Sequence, residues 1–228
     1  MNELLKLMES MAHSTGRDTK QIMNDLLTFI IGNFNPEPHP DPTWRYTKEQ
    51  NKEFHAMMCA YFSLMEKELA HKEWYDAWGD LFMWLTPKGN AKGQFFTPAD
   101  ICDLMAKSTV DTSAPRTTFC GAFGTRVTIN DPAAGSARCL LAAHARFVHD
   151  CAPHPYLVAE DLDLMCCKMS AVNLMAHGCY GEVICHNTLT DPKGLLVGYL
   201  INEGMFPIRP GMPTIRIKKE PEWFVSLR

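Results

Sequence analysis

The sequence predicts an α/β protein: a parallel sheet with crossover helices, preceded by a helical N-terminal region. Three observations carry this. The first ninety residues place apolar side chains at three- and four-residue steps, the period of helices with one buried face. From residue 91 onward, short apolar runs alternate with helical stretches, and strand, helix, strand, helix, strand is the pattern of a parallel sheet. Between the two textures lies the breaker Thr86-Pro87-Lys88-Gly89. The expected organisation is therefore a helical region over 1–90 and an α/β domain over 91–228.

In the helical region, Lys6 to Met11 and Ile22 to Ile31 are amphipathic, and Asp18 or Thr19 is placed to cap the second segment. The run 33–42 holds four prolines in its last seven residues and is read as a loop. Thr47 to His71 carries one long apolar stripe: Phe54, Met57, Met58, Tyr61, Phe62, Met65 and Leu69. Trp74, Trp78, Phe82 and Trp84 fill a further short helix and are read as core, since large rings bury well.

In the second half, Thr97-Pro98 reads as a cap with proline at the first helical position, opening a helix through Met105. Val127 to Asn130 reads as a strand, Ala137 to His149 as a helix, and Tyr156 to Ala159 as a second strand. Leu162 to His177 is a helix closed by Gly178, Glu182 to Cys185 a third strand, and Leu195 to Ile201 a fourth. Pro207, Pro210, Pro213 and Pro221 interrupt the tail, where Arg209, Arg216, Lys218, Lys219 and Arg228 outnumber Glu220 and Glu222. That local excess reads as a solvated face, with phosphate contact as the other reading.

Composition narrows the classes. Of 228 residues, 46% are hydrophobic and 21% charged, which excludes a disordered chain. Lys plus Arg number 22 against 26 Asp plus Glu, a formal net charge of −4. A chain so balanced does not grip a nucleic-acid backbone by bulk charge and needs a local basic patch or a DNA-binding partner. No apolar run approaches a bilayer span, and Glu3, Lys6 and Glu9 make Met1 to Ser10 unlike a signal peptide. The nine cysteines contain no C-x-x-C pair, so the reading is buried thiols in a reducing cytoplasm.

Three features of the α/β half are candidates for chemistry. The turn Asn130-Asp131-Pro132-Ala133-Ala134-Gly135-Ser136-Ala137 sits where a strand enters a helix. Small residues there admit a ligand to the backbone, and a helix N-terminus offers free N–H groups. It is neither a G-x-G-x-x-G loop nor a P-loop. Glu160 follows the second strand, where a carboxylate accepts the hydroxyl hydrogens of a ribose. Asp161 and Asp163 are alternatives, with Asp163 also placed to cap the next helix. Asn187, after the third strand, is either a turn residue or a contact to an adenine edge.

Gly93-Gln94-Phe95-Phe96-Thr97-Pro98, Asp131-Pro132-Ala133-Ala134-Gly135-Ser136, Glu160 and Asn187-Thr188-Leu189 follow one another in the order of motifs in the adenine-N6 DNA methyltransferases. The chain resembles that family, and within it the modification subunit of type I restriction systems, over roughly residues 45 to 190. The resemblance implies a Rossmann-like S-adenosylmethionine-dependent methyltransferase fold with a truncated parallel sheet. It implies that Gln94, Phe95, Phe96, Thr97 and Pro98 lie over the methionine end of S-adenosylmethionine, with Thr97 near its carboxylate. Asp131, Ala133, Gly135, Ser136 and Ala137 would wrap the methionine and sulfonium region, Glu160 would hold the ribose, and Asn187 would lie near the adenine. DNA and a specificity subunit, another partner or self-association are the implied partners.

The chain also departs from the family. Ala134 and Ala137 stand where the family usually has Cys and Gly. The Asn/Asp/Ser-Pro-Pro-aromatic motif, which holds and stacks on the target adenine, is missing, and no Pro-Pro dipeptide occurs in the chain. Asn202 and Phe206, in Ile201-Asn202-Glu203-Gly204-Met205-Phe206, are its nearest counterparts. Three functions follow as expectations: a cofactor-binding adenine-N6 methyltransferase, a methyltransferase-like binding protein without turnover, or a methyltransferase for protein or small molecules whose pocket is shaped by Glu203 and Phe206.

Overall fold

The computed structural model describes residues 1–37, 45–86, 95–120, 124–203 and 213–227. Four helices come first: α1 (Asn2–Thr15), α2 (Thr19–Phe34), α3 (Lys48–Leu69) and α4 (Ala77–Leu85). Asp18 caps α2, its carboxylate accepting from the Gln21 N–H at 2.8 Å. Thr47 and Gln50 close a capping box on α3. The α3 stripe buries Phe54, Met57, Tyr61 and Met65, with Met58, Phe62 and Leu69 partly buried against the same core. Of the expected tryptophan-rich stripe, Trp74, Trp78 and Phe82 are buried but Trp84 is exposed, because it falls on the outer face of α4.

The second half contributes α5 (Ala99–Thr109), a short hairpin of β1 (Thr118–Phe119) and β2 (Thr125–Arg126), then β3 (Thr128–Asp131), α6 (Arg138–His149), β4 (Tyr156–Asp161), α7 (Leu164–Ala176) and β5 (Tyr180–Cys185). Two further strands, β6 (Val197–Ile201) and β7 (Ile215–Lys218), complete a five-stranded sheet in the order β3-β4-β5-β6-β7. Pro98 takes the cap position of α5, one residue before the expected first-turn place. Asp163 caps α7, and Gly178 follows that helix at φ 66°.

The expected parallel sheet is only half parallel. β3, β4 and β5 run parallel, but β6 pairs antiparallel with β5, and β7 antiparallel with β6. A parallel return needs a crossover of a dozen or so residues, usually helical. Residues 186–196 form no helix; they turn at Asn187 and Asp191 and bring the chain straight back. β7 lies among the tail prolines, where the sequence predicts only a charged stretch. Its alternation Ile215-Arg216-Ile217-Lys218 buries Ile215 and packs Ile217 on the core. The basic side chains of that run are engaged by acids: Arg216 lies 3.4 Å from Glu203, and Lys218 2.8 Å from Glu37. Arg209 and Arg228 lie outside the described residues.

The two faces of the sheet are covered differently. Leu157, Ala159, Val183, Cys185, Tyr199, Ile201 and Ile215 face the helices and join one core that reaches back to Leu4 in α1. Tyr156 and Val158 face Val225, and Ile184 and Leu200 face Phe224 and Leu227, so the tail covers the other face. Glu182 anchors this tail. It is fully buried and accepts from Tyr156 Oη at 2.7 Å and from the Val225 and Ser226 N–H groups at 2.8 Å. On the helical side α2 docks on α7, where Lys168 Nζ donates to Asn24 and Thr28 at 2.9 and 2.8 Å.

Three histidines lie inside this frame and are held below the ordinary value of 6.5 by burial: His144, to about 3, and His154 and His177 in the same direction. His177 Nε2 accepts from the Tyr75 N–H at 3.1 Å while Nδ1 donates to the Asn173 carbonyl at 2.7 Å, so the neutral ring is satisfied at both nitrogens. Below pH 6.5 the unfolded chain binds protons that the fold refuses, so this stability is present above 6.5 and lost as pH falls. Urea unfolding at pH 5 is expected to show a loss of about 2 kcal/mol from His144, relative to pH 7.5. His144→Gln, which does not titrate, should flatten that slope.

Candidate functional site

β3 turns into α6 through residues 132–137, and Asp76 shapes that turn from outside the sheet. Its carboxylate caps α4 by accepting from the Gly79 N–H at 2.7 Å. It also accepts from Ser136 Oγ at 2.5 Å, Arg138 Nε at 2.8 Å and Asn173 Nδ2 at 2.7 Å. Arg138 reaches Asp80 at 2.7 Å and the Thr97 carbonyl at 3.2 Å. Asp80 itself is pushed above the usual carboxylate range by burial, against the pull of Arg138. One buried network therefore joins α4, the segment before α5, the turn and α7.

Within the turn, Gly135 has φ 57°, and a Cβ there would meet the Phe96 ring at 2.8 Å. The glycine thus admits Phe96, which stacks on Phe82 at 5.3 Å. Ala137 takes the left-handed conformation as the α6 cap, at φ 68°, and is fully buried. The Gly135 N–H donates to Asp161 at 2.9 Å, and Asp131 accepts from the Ala133 N–H at 3.1 Å. Burial raises the Asp131 and Asp161 carboxyls above their ordinary range.

Beside this turn, between α5, β3 and α6, lies a cavity of about 390 Å³, within the range of small-molecule sites. Phe95, Phe96, Thr97, Asp131, Ala133, Gly135 and Ser136 all line it, so residues more than thirty positions apart meet on one wall. Ser136 contributes backbone there, since its hydroxyl is committed to Asp76. Pro98, Ala137, Glu160 and Asn187 do not line this cavity. Gln94 lies outside the described residues.

Glu160 continues the alternation of Tyr156 and Val158 onto the tail-covered face. Its carboxylate is buried and accepts from Asn130 Nδ2 at 2.7 Å, from Thr188 Oγ1 at 3.3 Å, and bonds His186 Nε2 at 2.6 Å. It touches the cavity wall through Asn130 and through Thr188, which also donates to the Pro132 carbonyl at 3.3 Å. His186 Nδ1 is buried without a hydrogen-bond partner. Asn187 behaves as a turn residue, its Oδ1 accepting from the Leu189 and Thr190 N–H groups at 3.1 and 3.0 Å. His186, beside Asn187, carries no motif of its own in the sequence. Its position marks it, two residues after Ile184, which pairs with Glu160 on the same face. Leu162, expected to open a helix, lies before α7, and it and Leu189 are exposed at the carboxyl ends of β4 and β5.

Asn202 stands at the other end of the sheet. Because β6 is antiparallel, Ile201 pairs with Gly181 at the start of β5, far from the ends of β3 and β4. Asn202 is fully buried; its Nδ2 donates to the Cys179 carbonyl at 2.8 Å, and its Oδ1 accepts from the Thr214 N–H at 3.0 Å. It closes the β6–β7 connection and has no part in the cavity. Glu203 is beside it and Phe206 lies outside the described residues.

A half-parallel sheet with helices packed on one face, whose first parallel strand enters a helix through an Asp-Pro-Ala-Ala-Gly-Ser turn beside a cavity, defines a methyltransferase-like α/β protein. The family model described as N-6 DNA methylase matches residues 75–199, and the chain belongs to that family. Members of the family are S-adenosylmethionine-dependent methyltransferases. No curated protein and no solved structure matches the chain. No helix among the described residues is long and apolar enough to cross a membrane.

Asp76→Ala would leave Arg138 buried with only Asp80 as a charged partner and strip acceptors from Ser136 and Asn173. Removing one member of such a buried pair costs about 3 kcal/mol or more. Chemical denaturation should show that loss, and Asp80→Ala, at a half-exposed position, a smaller one.

Proposed function

We propose that this chain binds S-adenosylmethionine at the turn after β3, with methyl transfer to adenine N6 in DNA as the reaction of its family. The observation that carries this is the convergence of Phe95–Thr97 and Asp131–Ser136 on one cavity. The residues fit the amino-acid end of the cofactor well. The Asp131 carboxylate is an acceptor for an ammonium group, and the Thr97 hydroxyl and the adjoining backbone offer polar contacts to a carboxylate. At the ribose end, Glu160 is preoriented by Asn130, His186 and Thr188, and two ribose hydroxyls would replace the weak Thr188 bond and share the remaining lone pairs. The bound cofactor would supply an already activated methyl group, so this chain's own contribution is orientation and exclusion of water.

The reading without turnover by this chain alone is favoured by the position of Asn202. With no Pro-Pro-aromatic motif in the sequence and Asn202 at the opposite end of the sheet, no side chain among the described residues is set to accept the amino hydrogens of a target adenine. Base recognition then falls to a partner, as the acidic net charge also suggests. A specificity subunit or a second copy of this chain would serve, and the protein would work in the cytoplasm beside DNA.

Calorimetric titration with S-adenosylmethionine and with its demethylated product is the test. One-to-one binding, weakened at least tenfold by Glu160→Ala, is expected; a well-folded protein that binds neither compound would sink the proposal. Asn202→Ala is expected to lower unfolding stability by about 2 kcal/mol, through lost buried hydrogen bonds, while leaving cofactor affinity within twofold. Labelled-methyl transfer to DNA that Asn202→Ala abolishes, with affinity intact, would restore Asn202 as a catalytic residue.

A further inference from the structure

α5 and α6 pack side by side along one wall of the cavity, and each brings a cysteine to the contact. Cys102 Sγ and Cys139 Sγ are 3.3 Å apart, and both residues line the cavity. Cys102 is buried, at 1% exposure, whereas Cys139 is half-buried, so a reagent in the cavity meets Cys139 first. Among the other thiols, Cys59 and Cys151 are exposed, and the rest are buried. A disulfide requires about 2.05 Å between sulfurs, so the pair needs to close by only about 1.2 Å.

We propose that Cys102 and Cys139 form an oxidisable dithiol in the cavity wall, which a low-molecular-weight disulfide of the glutathione type converts to an intramolecular disulfide. The hydrogen bond between them holds the Cys139 thiol below its ordinary range, at about 7, while that same partnership and burial push Cys102 up. Cys139 is therefore the attacking thiolate and Cys102 the resolving thiol. The Cys139 thiolate attacks one sulfur of the small disulfide, forming a mixed disulfide and expelling one small thiolate. Cys102 then loses its proton to solvent and attacks the Cys139 sulfur, forming the protein disulfide and expelling the second small thiolate. Two protein thiols are oxidised and one small disulfide is reduced to two thiols.

A consequence for binding rests on the cofactor reading above. Cys102 Sγ lies 3.8 Å from the Thr97 carbonyl, the same carbonyl that Arg138 holds at 3.2 Å. Oxidation draws α5 toward α6 along the cavity wall and shifts the Thr97 segment beside Cys102, so the oxidised protein binds the cofactor less well.

The full chain would be exposed to oxidised glutathione, its free thiols alkylated with iodoacetamide, and its peptides mapped by mass spectrometry. The expected product is the Cys102–Cys139 linked peptide, at least tenfold over any other pair. Cys102→Ser is expected to stop the reaction at a Cys139–glutathione mixed disulfide. Alkylation of both Cys102 and Cys139 while Cys59 and Cys151 carry glutathione would overturn the proposal, as would a Cys102→Ser protein whose Cys139 stays unmodified. Titration of the reduced and oxidised proteins with demethylated cofactor separates the two readings. A tenfold weaker affinity after oxidation, restored by dithiothreitol, supports the gating; equal affinity in both states overturns it. The linked peptide in a protein that never binds the cofactor upholds the dithiol and removes only the cofactor reading.

Discussion

The carboxylate of Asp76 accepts four hydrogen bonds in a place where water scarcely reaches. Removing a charge from water costs several kcal/mol, and only a complete set of donors offsets it. Here the donors come from α4, the turn after β3, the start of α6 and the middle of α7. Satisfying one buried carboxylate therefore fixes the separation of the helical segment from the sheet. It also sets the Ser136 hydroxyl away from the cavity and holds Arg138 against the Thr97 carbonyl. The geometry of the cavity wall depends on a residue that is not part of that wall.

Sheet polarity is the second constraint. The turn at Asp191 and Gly194 reverses the chain before a crossover forms, so β6 and β7 extend the sheet antiparallel. β6 thereby ends, at Ile201 and Asn202, at the end of the sheet opposite the β3 turn. On the other flank, the outer edge of β3 pairs with no strand among the described residues. The cavity opens beside that edge, under an α5 whose Ile101, Leu104 and Met105 are exposed. The residues of the β3 turn and Asn202 are thus separated by topology, not by a local change in side chain.

The alternation of each strand divides the site as well. Odd-numbered positions of β4 face the helices and even-numbered positions face the tail, so Asp131 and Glu160, both at strand ends, reach opposite faces. Glu160 is joined to the cavity by Asn130 and Thr188, and on its own face by His186. A carboxylate with this many partners is rigid.

Much of this was legible in the sequence because it is local. The helices of the first half follow from their three- and four-residue spacing, and Asp18 and Asp163 from cap preferences. β3, β4 and β5 follow from short apolar runs between helices, and the Gly93–Pro98 and Asp131–Ser136 motifs from residue order alone. The alternation of β7 was equally present but was masked by its charges, and a two-residue hairpin such as β1–β2 carries too little pattern to read. What only the tertiary structure decided are the relations between distant residues. Strand direction after β5 depends on whether a helix fits between strands, not on strand residues. The commitments of Ser136 to Asp76 and of Glu160 to His186, and the meeting of Cys102 with Cys139, depend on which buried groups find partners when the core closes. Periodicity and capping are set within one turn of chain, whereas hydrogen-bond satisfaction in a core is settled across the whole of it.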